Sequence, residues 1–175
     1  SLMLVGSIWS NYQLVSVGAA LVQLATTSFA LFLASSFNWR EILRVFGGTL
    51  RGILMTSLIF ELFAAVIVRG PIEPFFPNYS GDHPPAVAFY WTQGNLFSND
   101  RIQGIVGNSN MLAYMAMIGI VVFAIEIAAN TTTRFISAIS FLVTIPMLVL
   151  SRSASIGFAL VAVLAAAVVS IAAEG

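Results

Sequence analysis

The sequence predicts an all-α fold, a polytopic transmembrane helix bundle with about five membrane-spanning helices. Three observations carry that expectation. Of the 175 residues, 59% are hydrophobic and 8% charged, where soluble domains run about 45–50% apolar and about 25% charged. Apolar stretches recur at about the 20 residues that a helix needs to cross a hydrocarbon layer about 30 Å thick. Most charges collect between those stretches rather than inside them.

The first span covers roughly 13–35. A polar joint follows, "SSFNWREILR", with Arg40, Glu41 and Arg44. The second span, roughly 45–68, tolerates Arg51 near its start and Glu61 inside it. A long loop, 69–104, holds five of the six prolines. The third span runs roughly 105–129 and leads through "NTTTR" to the fourth, roughly 135–150. The apolar run from Phe135 to Ala173 is too long for one crossing, since it would reach about 58 Å as a single helix. Arg152, in "SRSAS", marks the break, because a charge at mid-bilayer costs at least a few kcal/mol. The fifth span is then roughly 156–173, and Pro146 is a candidate kink near the end of the fourth. The chain opens at Ser1 rather than Met and reads as a fragment of a longer protein, a single transmembrane region over 1–175.

All seven basic residues are arginine. Codon bias toward arginine accounts for that, and so does phosphate binding, since the guanidinium fork grips phosphate in two-toothed fashion. With no cysteine and one histidine, thiolate and multi-histidine metal sites are excluded within the chain. Arginine bias sets orientation. Arg40, Arg44, Arg51 and Arg134 fall on one face, and Arg69, Arg101 and Arg152 on the other, so the 69–104 loop is assigned outside.

Two crossings separate Arg101 from Arg152, so both lie on the same face of the membrane, each ahead of a helix start. Asn108, Ser109 and Asn110 stand ready to cap one helix, and Ser153 and Ser155 the other. Helix starts carry unpaired N–H groups and partial positive charge, which attract anions. Gly104 and Gly107 would let backbone approach a ligand. Arginines at helix ends also snorkel to lipid headgroups, so plain anchoring competes with anion binding.

"RIQGIVGNSNMLAYM", followed one helical hairpin later by "LSRSASIGFAL", resembles the O-antigen ligase and O-antigen polymerase superfamily. The matches are Arg101 and Gly104 of an Arg-x-x-Gly element, Asn108 and Asn110 of an Asn-x-Asn element, and Ser151, Arg152, Ser153 and Ala154. Ser109 stands where the family usually has proline. The likeness is strongest over about 99–165. It implies a multi-pass glycosyltransferase of the bacterial inner membrane. Such an enzyme moves a glycan from an undecaprenyl diphosphate carrier to lipid A core, a growing surface polysaccharide or a protein on the periplasmic side. It implies no metal, no cofactor and no nucleic-acid partner. By the same likeness Arg101 and Arg152 would hold the diphosphate and stabilise it as leaving group. The family's essential histidine belongs to a second periplasmic loop expected beyond Gly175, so that role is not given to His83. Alone, this stretch is expected to be inactive.

Glu61 is a functional candidate as an intramembrane carboxylate, expected to pair with Arg101 or Arg152 or else to face a helix contact. Glu126 reads as interfacial. The aromatic stretch 88–97 reads as a lid, a sugar platform or an interface belt. Two rivals stay open: a membrane transporter of a small anion, and a non-catalytic membrane subunit whose arginines touch only membrane lipids.

Overall fold

The computed structural model describes residues 13–73, 89–98 and 100–174. Among them no strand forms, and five helices follow in order: α1 (Gln13–Ser36), α2 (Trp39–Phe63), α3 (Ser109–Ala128), α4 (Arg134–Ser151) and α5 (Ala154–Glu174). Four apolar segments, Leu14–Ser36, Trp39–Val68, Ser109–Ala128 and Arg134–Ser151, are long enough to cross a membrane. In α5 the apolar run is Ala154–Ser170. His83 lies outside the described residues.

The chain forms two compact units, Ser1–Leu43 and Arg44–Gly175. In the first, α1 is apolar all round and exposes Leu14, Val22, Phe29 and Phe32, as a helix surrounded by lipid does. Its end leads into a capping box. The Asn38 side chain accepts from Glu41 N–H at 3.0 Å, and Glu41 Oε2 accepts from Asn38 N–H at 3.1 Å. That reciprocal pair starts α2 at Trp39 rather than near 45, so much of the expected polar joint is helix.

In the second unit, α3 packs against α4 as an antiparallel hairpin and also against α5. The buried face of α4 is small and hydroxylated: Ser137, Ser140, Thr144, Met147 and Ser151. These positions step by three and four, the spacing of one helix face. Lipid offers no hydrophobic drive for helix association, so close packing and hydrogen bonds must supply it. Each buried hydroxyl turns back on its own helix, with Ser140 Oγ donating to Ile136 O at 2.7 Å and Thr144 Oγ1 to Ser140 O at 2.6 Å. None of these hydroxyls therefore needs water. Gly119 of α3 completes the fit, because a Cβ there would lie 3.2 Å from Leu54 Cδ1 and 3.3 Å from Phe123.

The end of α2 widens into a π turn, Ala64–Val68, closed by Arg69 in the left-handed region, whose N–H donates to Ala64 O at 2.8 Å. An isolated antiparallel bridge joins Ile72 to Thr92 and holds the 89–98 segment against this end. Gly94, at φ +68°, sits where a Cβ would be 2.9 Å from Gly70 O. The third helix begins at Ser109, later than the expected 105. Gly104 and Gly107 both have positive φ, so residues 104–107 form a turn instead. The α4–α5 break falls where Arg152 was expected to force it. Arg152 takes φ +50° and is exposed, while Pro146 remains inside α4.

Candidate functional site

The segment that carries Arg101 is pinned from two sides. From α2, Glu61 Oε1 accepts from Gln103 N–H at 2.9 Å and Gly104 N–H at 2.7 Å, and Ser57 Oγ accepts from Ile105 N–H at 3.3 Å. From the end of α4, Leu150 O accepts from Ile102 N–H at 3.3 Å. The Ile102 side chain is fully buried between these attachments. Arg101 itself is left exposed, its N–H held by Asp100 Oδ1 at 2.7 Å.

The start of α3 follows directly. Asn108 is its N-cap, and its side chain accepts from the N–H groups of Asn110 and Met111 at 2.9 and 3.1 Å. Across the hairpin, Ser153 Oγ donates to Asn110 Oδ1 at 3.0 Å, while Ser153 O accepts from Gly157 N–H in the first turn of α5. One hydroxyl therefore links the starts of α3 and α5. Ser151 is buried and donates to Leu148 O at 2.6 Å, which leaves the corner at Arg152 as the exposed point. The residues of the three motif elements, Arg101 to Gly104, Asn108 to Asn110 and Ser151 to Ser153, thus gather at one end of the hairpin.

Two expectations need correction. Glu61 does not turn to an arginine: it is fully buried and holds the Thr92 hydroxyl, at 2.9 Å, together with the two backbone N–H groups. Nor does Gly104 open a path for a ligand. A Cβ there would meet Ser57 Cβ and Oγ at 2.8 Å, so glycine is needed for contact with α2 and for φ +62°. Together these facts decide how an anion would be held. The N–H groups of Gln103 and Gly104 are spent on Glu61, and those of Asn110 and Met111 on Asn108.

The aromatic stretch takes part through Trp91. Its indole N–H donates to Ile105 O at 2.9 Å, and its ring lies 6.0 Å from Phe60. Beside it, a cavity of about 140 Å³ is lined by Gln93, Asn95, Asp100, Arg101, Gln103 and Ser109.

A second polar centre lies near the other end of the hairpin. Glu126, expected at the interface, is fully buried and ion-paired with Arg51. Arg51 Nε also donates to Ser140 Oγ at 2.8 Å, and its guanidinium sits 4.8 Å from the centre of the Phe123 ring. Gly47 backs the carboxylate, since a Cβ there would lie 2.8 Å from Glu126 Cδ. A cavity of about 100 Å³, mostly apolar, adjoins Arg51, Phe123 and Thr144. One sequence signal points to this centre: a basic residue inside one apolar span and an acidic residue inside another, each too costly to leave alone.

Among the described residues, no group of three or more His, Cys, Asp and Glu comes together to hold a metal ion. No family model, curated protein or solved structure matches the chain.

Proposed function

We propose that the chain is part of a bacterial inner-membrane glycosyltransferase of the O-antigen ligase and polymerase type. It transfers a glycan from undecaprenyl diphosphate to lipid A core or a growing surface polysaccharide. The observation that supports this reading is the gathering of the three motif elements at one hairpin end, tied by Ser153 Oγ to Asn110 and by Ile102 N–H to Leu150 O. In this reading Arg101 and Arg152 hold the diphosphate. As the acceptor oxygen bonds to the anomeric carbon, the bond from that carbon to the diphosphate oxygen breaks. The departing oxygens gain charge, and two guanidinium groups offset it. The acceptor's proton passes to a base that the family resemblance assigns to a different periplasmic loop.

Arg101→Lys and Arg152→Lys in the full-length protein test this reading. Lysine keeps the charge and loses the fork. Lipid-linked glycan transfer in cells lacking their own copy is expected to fall at least tenfold for each variant, at unchanged membrane levels. Normal transfer by both would remove the arginines from the chemistry.

A second reading, transport of a small anion, draws on the Arg51–Glu126 pair and its neighbouring cavity. Buried intramembrane ion pairs mark ion and proton pathways in transporters. Uptake into proteoliposomes that is lost on Arg51→Met and kept on Arg101→Lys would favour it.

A further inference from the structure

Arg101 and Arg51 differ in what holds them. The Arg51 guanidinium has Glu126, Ser140 and the Phe123 ring around it. The Arg101 guanidinium takes no hydrogen bond or ion pair from any described residue. Where it stands is therefore set by its backbone.

That backbone shares an anchor with a second segment. Two stretches of chain line the cavity of about 140 Å³: one through Gln93 and Asn95, the other through Asp100, Arg101 and Gln103. Glu61 holds both. Its carboxylate accepts from the N–H groups of Gln103 and Gly104 on the Arg101 segment. It also accepts from the Thr92 hydroxyl, at 2.9 Å from each oxygen. Thr92 Oγ1 in turn accepts at 3.2 Å from the N–H of Gly94, the residue between the two lining amides. A chain of hydrogen bonds thus runs from Gly94 through Thr92 and Glu61 to Gly104. Glu61 and Thr92 are fully buried, and neither lines the cavity.

The chemistry of this anchor suits joining two segments. A carboxylate offers about four acceptor positions and no donor, so it gathers N–H and O–H groups from separate stretches of chain. Burial makes each lost partner costly, which holds the segments at one spacing. Spacing matters to a reaction, because a misplacement of about 1 Å caused far from the chemistry costs on the order of 10²-fold.

We infer that Glu61 and Thr92 are positioning residues for Arg101. They fix its backbone relative to residues 93–95 and so set where the guanidinium meets an anion, without touching that anion themselves. This assignment rests on the reading proposed above and adds to it the device that seats one of its two arginines.

The test is a double-mutant cycle in the full-length protein, scored as lipid-linked glycan transfer at matched membrane levels. Glu61→Leu removes the acceptor and should lower transfer at least tenfold. Glu61→Gln keeps an oxygen for both backbone N–H groups and should stay within threefold of wild type. Adding Arg101→Lys to Glu61→Leu should cost no more than a further threefold, because an unseated arginine has little left to lose. Thr92→Val keeps the shape without the hydroxyl. It should lower transfer about threefold, and it too should combine with Arg101→Lys to less than the product of the two losses. It carries the cycle if Glu61→Leu does not reach the membrane. Losses that multiply would overturn the assignment, since Glu61 would then support the fold and not Arg101. Normal transfer by Glu61→Leu would overturn it as well. So would a Glu61→Gln as weak as Glu61→Leu, which would mean that the charge of Glu61 is used directly. In each of these cases a weak Arg101→Lys leaves the diphosphate reading standing. If Arg101→Lys alone transfers normally, that reading falls and the assignment with it.

Discussion

Glu61 and Glu126 are both fully buried in apolar helices, yet they solve the problem of burial differently. Glu61 is surrounded by neutral donors, the Thr92 hydroxyl and the N–H groups of Gln103 and Gly104. Glu126 is matched by a charge, Arg51, and its other oxygen is buried without a partner. The first carboxylate organises a loop. The second neutralises a cation that would otherwise stand inside α2. A buried acid can thus be a backbone anchor at one end of a hairpin and a counter-charge at the other, and the sequence symbol alone does not separate the two.

Substitutions sharpen or break that contrast. The largest effect is expected for Glu126→Gln, which leaves Arg51 without its counter-charge. Removing one partner of a buried pair costs about 3–5 kcal/mol, and the lower end applies because the Arg51 side chain keeps 23% of its exposure. Denaturation midpoints in mixed micelles should show that loss, and Arg51→Met combined with Glu126→Met should recover most of it. A double variant as weak as the single one would mean that the pair is not the issue. Gly104→Ala is expected to cost about 2 kcal/mol by the same measurement, since the new Cβ meets Ser57 at 2.8 Å at positive φ. A neutral result there would show that the Glu61 end is loosely packed. Asn108→Ala removes the cap of α3 and should cost about 1 kcal/mol, with earlier hydrogen exchange at Asn110 and Met111. The smallest effect belongs to Glu61→Gln, below about 1 kcal/mol, because the amide oxygen can still accept from both backbone N–H groups. Were this loss to match that of Glu126→Gln, the contrast between anchor and counter-charge would collapse.

Much of the architecture was legible because lipid imposes length. Runs of about 20 apolar residues leave little choice but helices, and the corner at Arg152 followed from the cost of burying a charge. The helix starts were less legible, since they depend on local side-chain chemistry. The Asn38–Glu41 capping box extends α2 back through residues that composition marks as a joint, and the two positive-φ glycines delay α3. The candidate site shows the same division. That Arg101 and Arg152 stand at one end of the hairpin could be counted from two crossings. That Glu61 would hold Gly104, or Arg51 would find Glu126, depends on residues 43 and 75 apart in sequence meeting at one depth. Periodicity carries no information about such pairs. Gly104 is the instructive case: its glycine was visible, but its reason, the side of Ser57, was not.

The corner between α4 and α5 has a mechanical consequence. Only Arg152 and Ser153 stand between the two helices, and Ser153 is fastened at once to Asn110. Such a joint has no slack. A tilt of α5 cannot be absorbed locally and must be delivered as torque to the first turn of α3, a few residues from Arg101. A lengthened corner, made by inserting glycines after Ser153, would act as a clutch, letting α5 swing while the arginine at the other motif stays still.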